Sequence, residues 1–222
     1  GSRMSGDVQV RFCERPGVRF PRATHRNVYV RSKGAGERVM ASLERFLVKQ
    51  LRLKVNGDKS AVARPWQRKF LGYSVTSNVK PKLKVAPESL KRLKGKLRPR
   101  WRRGRGGNLA NTIAELNPVL RGWVAYYRLV DTKGSFEALD AWIRRKLRAI
   151  LWRQWKRPGT RLKKLRQGGV DAGRAYAGAM NSHGPWWNAG ASHMNQAVSN
   201  EALRQLGLVS LLDEHRRLAR AT

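Results

Sequence analysis

The chain has 222 residues, and its 48 Lys and Arg against 14 Asp and Glu give a formal net charge of +34 at pH 7. A charge of this size seeks polyanions, while 41% hydrophobic residues and eight Trp are enough to fill one or two cores, which excludes a wholly disordered polycation. There is no run of about 18 apolar residues and no apolar leader, so neither a spanning helix nor secretion is predicted, and the expected location is cytoplasmic. The single cysteine, Cys13, and four scattered histidines predict no disulfide and no metal site.

Residues 91–168 hold 23 basic and 4 acidic side chains, a net +19, whereas residues 169–222 carry only +1. A concentrated field of one sign with interleaved aromatics is the pattern of a phosphate-binding surface rather than a solubilising one. In chain order, Gly1-Ser-Arg-Met4 reads as a tag, and Pro16, Gly17 and Pro21 break any period, so residues 1–26 predict a loop or frayed strand. Asn27-Val28-Tyr29-Val30-Arg31 predicts a strand, and residues 34–36 a turn. From Glu37, the spacing of Val39, Leu43, Phe46, Leu47 and Leu51 predicts an amphipathic helix ending near Leu53. A turn follows at residues 56–60, then short strands at residues 61–63 and 70–75.

Nine of the fifteen residues 91–105 are basic: Lys91, Arg92, Lys94, Lys96, Arg98, Arg100, Arg102, Arg103 and Arg105. Pro87 and Glu88 predict a helix start there, with Leu90, Leu93 and Leu97 as a narrow seam, and Pro99 with residues 104–107 as the end. Between Glu88 and Glu115 no acid offers the i, i+4 pairing of a solvated helix face, which points to phosphate contact. Asn108 predicts a helix cap, with Leu109, Ile113 and Leu116 inward. Asn117-Pro118 predicts a restart, with Leu120, Trp123, Val124 and Tyr127 buried and Gly122 at a close helix packing. A third helix is expected from a Ser135 cap, with Phe136, Leu139, Ile143, Leu147 and Ile150 inward. Residues 144–166 contain eleven cations and no acid. The candidate phosphate contacts among them are Arg144, Arg145, Arg148, Arg153, Lys156, Arg157, Arg161, Lys163 and Lys164. Trp152 and Trp155 read equally as core residues or as platforms for unpaired bases. Trp186-Trp187 predicts a packed loop clamp, and His183 and His193 polar loop histidines.

Three stretches carry a resemblance to a known family. Leu51-Arg-Leu-Lys-Val-Asn-Gly-Asp-Lys59-Ser60 followed by Phe70-Leu-Gly-Tyr73 resembles the last palm motifs of group II intron reverse transcriptases, the intron-encoded maturases. Leu116-Asn-Pro-Val-Leu-Arg-Gly-Trp-Val-Ala-Tyr-Tyr127 resembles their maturase-specific thumb, or X, domain. Gly184-Pro-Trp-Trp-Asn-Ala-Gly-Ala-Ser-His-Met194 with Leu206-Gly-Leu-Val-Ser-Leu-Leu212 resembles the C-terminal region of bacterial members. The resemblance implies palm roles for Asn56, Lys59, Phe70, Leu71, Gly72 and Tyr73. Members with polymerase activity carry Tyr-Ala-Asp-Asp just before the strand that matches Val28-Tyr29-Val30, where the two carboxylates hold Mg²⁺ for nucleotidyl transfer. At those four positions this chain has Arg22-Ala23-Thr24-His25.

The sequence therefore predicts an α+β, mainly α protein. Its parts are an irregular segment 1–26, a partial palm 27–86 with a small antiparallel sheet and one helix, a helical thumb/X domain 87–168 and a C-terminal region 169–222. By resemblance, such a chain binds structured group II intron RNA and assists its splicing without covalent chemistry, with no cofactor and no membrane partner. The alternatives are a split subunit of an RNA-directed DNA polymerase, needing Mg²⁺ and a separate palm/fingers chain with the carboxylates; a DNA-binding module directed at the DNA target; and an intron relic.

Overall fold

The computed structural model of the chain describes residues 8–13, 25–57, 60–104 and 106–220. They form an α+β, mainly helical protein whose chain divides into two compact units between Ala86 and Pro87.

In the first unit, β1 (Val8–Cys13) is the centre of a three-stranded antiparallel sheet, flanked by β2 (His25–Val30) and β3 (Ala61–Ala63). The register pairs Val10 with Val28 on one side and with Val62 on the other. A loop or frayed strand was the expectation for this stretch. It is a full strand because two neighbours satisfy its backbone, a pairing the local sequence does not announce. Helix α1 (Lys33–Lys49) packs on all three strands and begins earlier than its periodicity implies. The Ser32 hydroxyl accepts from the Ala35 amide at 3.2 Å, so residues 34–36 belong to the first helical turn.

Phe70-Leu71-Gly72-Tyr73 is a tight turn rather than part of a strand. Phe70 and Tyr73 exchange both backbone hydrogen bonds, at 3.0 and 2.9 Å, around Leu71 (φ 51°) and Gly72 (φ 82°), the signature of a type I′ turn. It leads into β4 (Tyr73–Val75), which pairs antiparallel with β5 (Leu83–Val85).

The second unit begins with α2 (Pro87–Arg103), α3 (Leu109–Tyr126) and α4 (Gly134–Gln154). Its core is built from their seams: Leu93 and Leu97 of α2; Ile113, Leu116, Leu120 and Val124 of α3; Phe136, Leu139, Ile143 and Leu147 of α4. Shorter helices follow: α5 (Pro158–Gln167), α6 (Ala172–Met180), α7 (Pro185–Asn188), α8 (Ser192–Ala197), α9 (Asn200–Gln205) and α10 (Leu211–Arg220). Residues 169–220 pack within this unit: α7 rests on α4, α8 on α5, and α10 on both α3 and α4. Among the described residues no helix is long and apolar enough to cross a membrane.

Both helix-interior prolines depart from the sequence expectation. Pro99 lies inside α2, which continues to Arg103 because Trp101 extends the Leu93–Leu97 seam and is buried against Trp142 with ring centroids 5.8 Å apart. Pro118 lies inside a continuous α3, so Asn117 is no cap. Its side-chain amide instead donates to the Gly207 carbonyl at 2.8 Å and accepts from the Val209 amide at 3.2 Å, tying the tail to α3. Ser135 is not a cap either, since α4 begins at Gly134. Gly122 is exposed, and a Cβ there would meet nothing within 4 Å, so no close helix packing demands it.

Candidate nucleic-acid interface

With Leu93, Leu97 and Trp101 turned inward, the rest of α2 is cationic. Lys91, Arg92, Lys94, Lys96, Arg98 and Arg102 are exposed, and Arg100 is half-buried, donating to the Lys96 carbonyl at 3.3 Å. Arg103 is the last residue of α2. Arg105, like Lys59 and residues 22–24, lies outside the described residues. The exposed side chains, from Lys91 to Arg102, span about three helical turns, a row of cations long enough to meet successive phosphates.

The cations of α4 and α5 separate into two groups. Arg153, Lys156, Arg157, Lys163 and Lys164 are exposed and remain phosphate candidates. Arg148 does not: only 6% exposed, it donates through Nε to the Val198 carbonyl at 2.8 Å and through Nη2 to Asn200 Oδ1 at 2.9 Å. Burial, reinforced by the neighbouring charge of Arg144, lowers its pKa. This arginine is a strut that holds the tail on α4, and sequence could not show it because its partners lie about fifty residues away. Arg144 pairs with the buried Asp140 at 3.5 Å. Arg145 donates twice to the Trp186 carbonyl, at 3.1 and 2.9 Å, and its guanidinium lies 4.3 Å from the Trp186 ring centroid. A Cβ on Gly190 would come within 2.8 Å of that guanidinium, so a side chain there would displace Arg145 from this position. Arg161 donates to the Trp155 carbonyl at 2.9 Å and covers the Trp152 ring at 4.6 Å.

The two candidate stacking rings also separate. Trp152 is fully buried, packed near Trp155 and His193 with centroids at 6.4 and 5.7 Å, and has no open face for a base. Trp155 is half-buried and keeps some exposed surface.

Sequence reasoning missed a strip of alternating rings and cations that joins α2, α4 and α7. Lys94 Nζ lies 5.3 Å from the Trp142 ring centroid, and Lys146 Nζ lies 5.7 Å from Trp142 and 4.6 Å from Trp186. Trp186 is 41% exposed, and Trp187 is exposed too, stacked on the His183 ring at 3.9 Å. Neither is the packed clamp that sequence predicted. Their neighbourhood looked neutral because no cation stands between Arg174 and Arg204 in sequence, yet α4 supplies two from some forty residues upstream. The one local signal was the i, i+4 spacing of Trp142 and Lys146.

His183 is an exposed loop residue, as its sequence implies, but His193 is built into the fold. His193 is a buried residue of α8 rather than a loop histidine, with Nε2 3.2 Å from Asn188 Oδ1. Burial first, and then the charge of Arg174, push its pKa down. Among the described residues no three His, Cys, Asp or Glu side chains gather to hold a metal ion. Of the palm positions, Asn56 is buried at a turn in which its carbonyl accepts from the Ser60 amide at 2.9 Å, and Phe70, Leu71, Gly72 and Tyr73 form the type I′ turn. Where the resemblance aligns the carboxylate motif of polymerase-active members, the sequence has Arg22, Ala23, Thr24 and His25.

No curated protein is a significant match to the chain. Residues 90–168 match the family described as the group II intron, maturase-specific domain, a span that runs from the first turn of α2 through α5 and ends where Gly168 caps that helix. This span contains the cationic face of α2 and every exposed cation of α4 and α5 named above, and it leaves the tail outside. Residues 90–168, about a third of the chain, thus carry the likeness to the group II intron, maturase-specific domain.

Proposed function

We propose that the chain binds structured RNA of the kind a group II intron forms and assists splicing by stabilising the RNA fold, with no covalent chemistry and no cofactor of its own. The observation that carries this reading is the exposed cationic face of α2 within the maturase-specific domain. A straight row of Lys and Arg neutralises phosphates without reading base edges, and A-form helices offer it shape and 2′-hydroxyls across a shallow groove. The exposed cations of α4 and α5 extend that surface.

The test replaces Lys91, Lys94, Arg98 and Arg102 together by Ala and measures affinity for a structured intron RNA by fluorescence anisotropy from 50 to 300 mM salt. Binding should weaken, and the slope of log K against log salt should shrink by about 0.7–0.9 for each lost phosphate contact. Unchanged affinity and slope reject the proposal. Competition by duplex DNA as strong as by the RNA assigns the surface to a DNA target instead. The palm-like turns of the first unit favour one further reading, a subunit that completes a polymerase whose carboxylates come from another chain. Mg²⁺-dependent primer extension that appears only when such a chain is added supports it.

A further inference from the structure

The packing of α2 on α3 leaves an open groove of about 520 Å³, within the range of small-molecule sites. Arg92 and Lys96, one helical turn apart on α2, line one side, and Trp123 and Tyr126 of α3 line the other. The Trp123 ring is held in place from two directions, 4.6 Å from Tyr127 and 5.8 Å edge-on to Phe136, while Tyr126 is 54% exposed. Gly122 of α3 lines the groove as well. A glycine in the interior of a helix is unfavourable, and here neither packing nor a left-handed backbone requires it. What its missing side chain provides is space. No acidic side chain lines the groove.

Aromatic walls with a rim of two cations and no acid fit a planar ligand that carries negative charge. The α2 cations on the rim are continuous with the face assigned above to the RNA backbone, so the ligand reaches the groove as part of that polymer. We infer that the α2–α3 groove receives a single unpaired nucleotide of the bound RNA, its base against Trp123 and Tyr126 and its flanking phosphate on Arg92 and Lys96. This inference rests on the RNA-binding reading and adds to it a preference for helices interrupted by a bulge. Stacking is tolerant of base identity, so the groove selects an extruded nucleotide rather than a sequence.

The experiment uses the full chain and two hairpin RNAs that are identical except that one carries a single bulged 2-aminopurine. The bulged hairpin should bind about tenfold more tightly, the effect of one stacked base, and its 2-aminopurine emission should fall on binding. Gly122→Leu fills the groove from an exposed position. It should abolish the bulge preference and the emission change while the affinity and salt slope for the paired hairpin stay as they are. If Gly122→Leu does not fold, as judged by circular dichroism, Tyr126→Ala carries the same expectation. Equal affinities for the two hairpins in the unaltered protein, or a preference that survives in the folded variant, overturn the inference and leave the RNA-binding reading intact. Failure of the unaltered protein to bind either hairpin in a salt-dependent way overturns both.

Discussion

Asp140 stands just before the acid-free basic run 144–166, and its carboxylate is almost fully enclosed. It accepts from the Ser210 hydroxyl at 2.8 Å, the Leu211 amide at 2.9 Å and the Leu212 amide at 3.3 Å, and pairs with Arg144. These amides open α10, so a residue on α4 supplies the N-terminal cap of a helix seventy residues away. Asp140→Ala leaves buried donors without a partner and should cost about 2–4 kcal/mol of stability, with Asp140→Asn in between, read from urea unfolding. A loss below about 0.5 kcal/mol would show that the tail is held by other contacts. His193 makes the stability depend on pH. Its pKa in the folded chain lies below the ordinary 6.5, so just under pH 6.5 the unfolded chain binds a proton that the folded chain does not. This contribution is complete above pH 6.5 and is lost on acidification toward the folded-state pKa. Urea midpoints measured from pH 7 to pH 5 should therefore fall less steeply in His193→Gln than in the unaltered protein.

At the scale of elements, the Leu71-Gly72 turn sets a backbone demand against a side chain. A left-handed conformation costs a branched L-residue about 1–2 kcal/mol, whereas Asn tolerates it and Asn-Gly is the preferred pair for a type I′ turn. Leu71 is 65% exposed, so little burial offsets that strain. Leu71→Asn should stabilise the hairpin by about 1 kcal/mol, seen as slower amide exchange at Tyr73 and Ala86, whose amides bond to Phe70 and Gly72. Faster exchange would mean that the leucine side chain holds the turn. The inward faces of α3 and α4 were legible in the sequence because 3.6 periodicity is a local property: Ile113, Leu116, Leu120, Phe136, Leu139, Ile143 and Leu147 are all buried as their spacing implies. The prolines were misread by the same locality. An interior proline costs about 3 kcal/mol, but burying a leucine or valine returns about 1.5–3 kcal/mol each, and Leu120 and Val124 beyond Pro118 are both fully buried. The site was half legible for a related reason. Charge density identified α2, but which cations of α4 stay in water depends on where the tail lies, and Arg148, Arg145 and Trp186 find their partners across 41 to 52 residues.

For the whole molecule, core and charge are distributed differently. Among the described side chains, every buried apolar residue except Val85 and Ala86 belongs to residues 87–222. Helix α1 has only Gly36 buried, and Phe46 and Val48 on it, with Leu51 just beyond its end, are each 52% exposed. Charge is shared more evenly, +15 on residues 1–86 and +19 on residues 87–222. The 136 residues of the second unit are in the size range of an independently folding domain, and they contain α2, the exposed cations of α4 and α5, and the aromatic strip. If binding followed net charge alone, removing residues 1–86 would cost close to half of it. If binding follows the α2 face, the loss is small, because the cations that meet the phosphates are kept in the fragment. A fragment of residues 87–222 should therefore unfold in a single cooperative urea transition and bind the structured RNA within about tenfold of the full chain at 150 mM salt. It should also lose affinity when the four α2 residues are replaced by Ala, as the full chain does. A drop beyond about a hundredfold in a folded fragment would place the principal interface in the first unit and reverse the assignment made from α2.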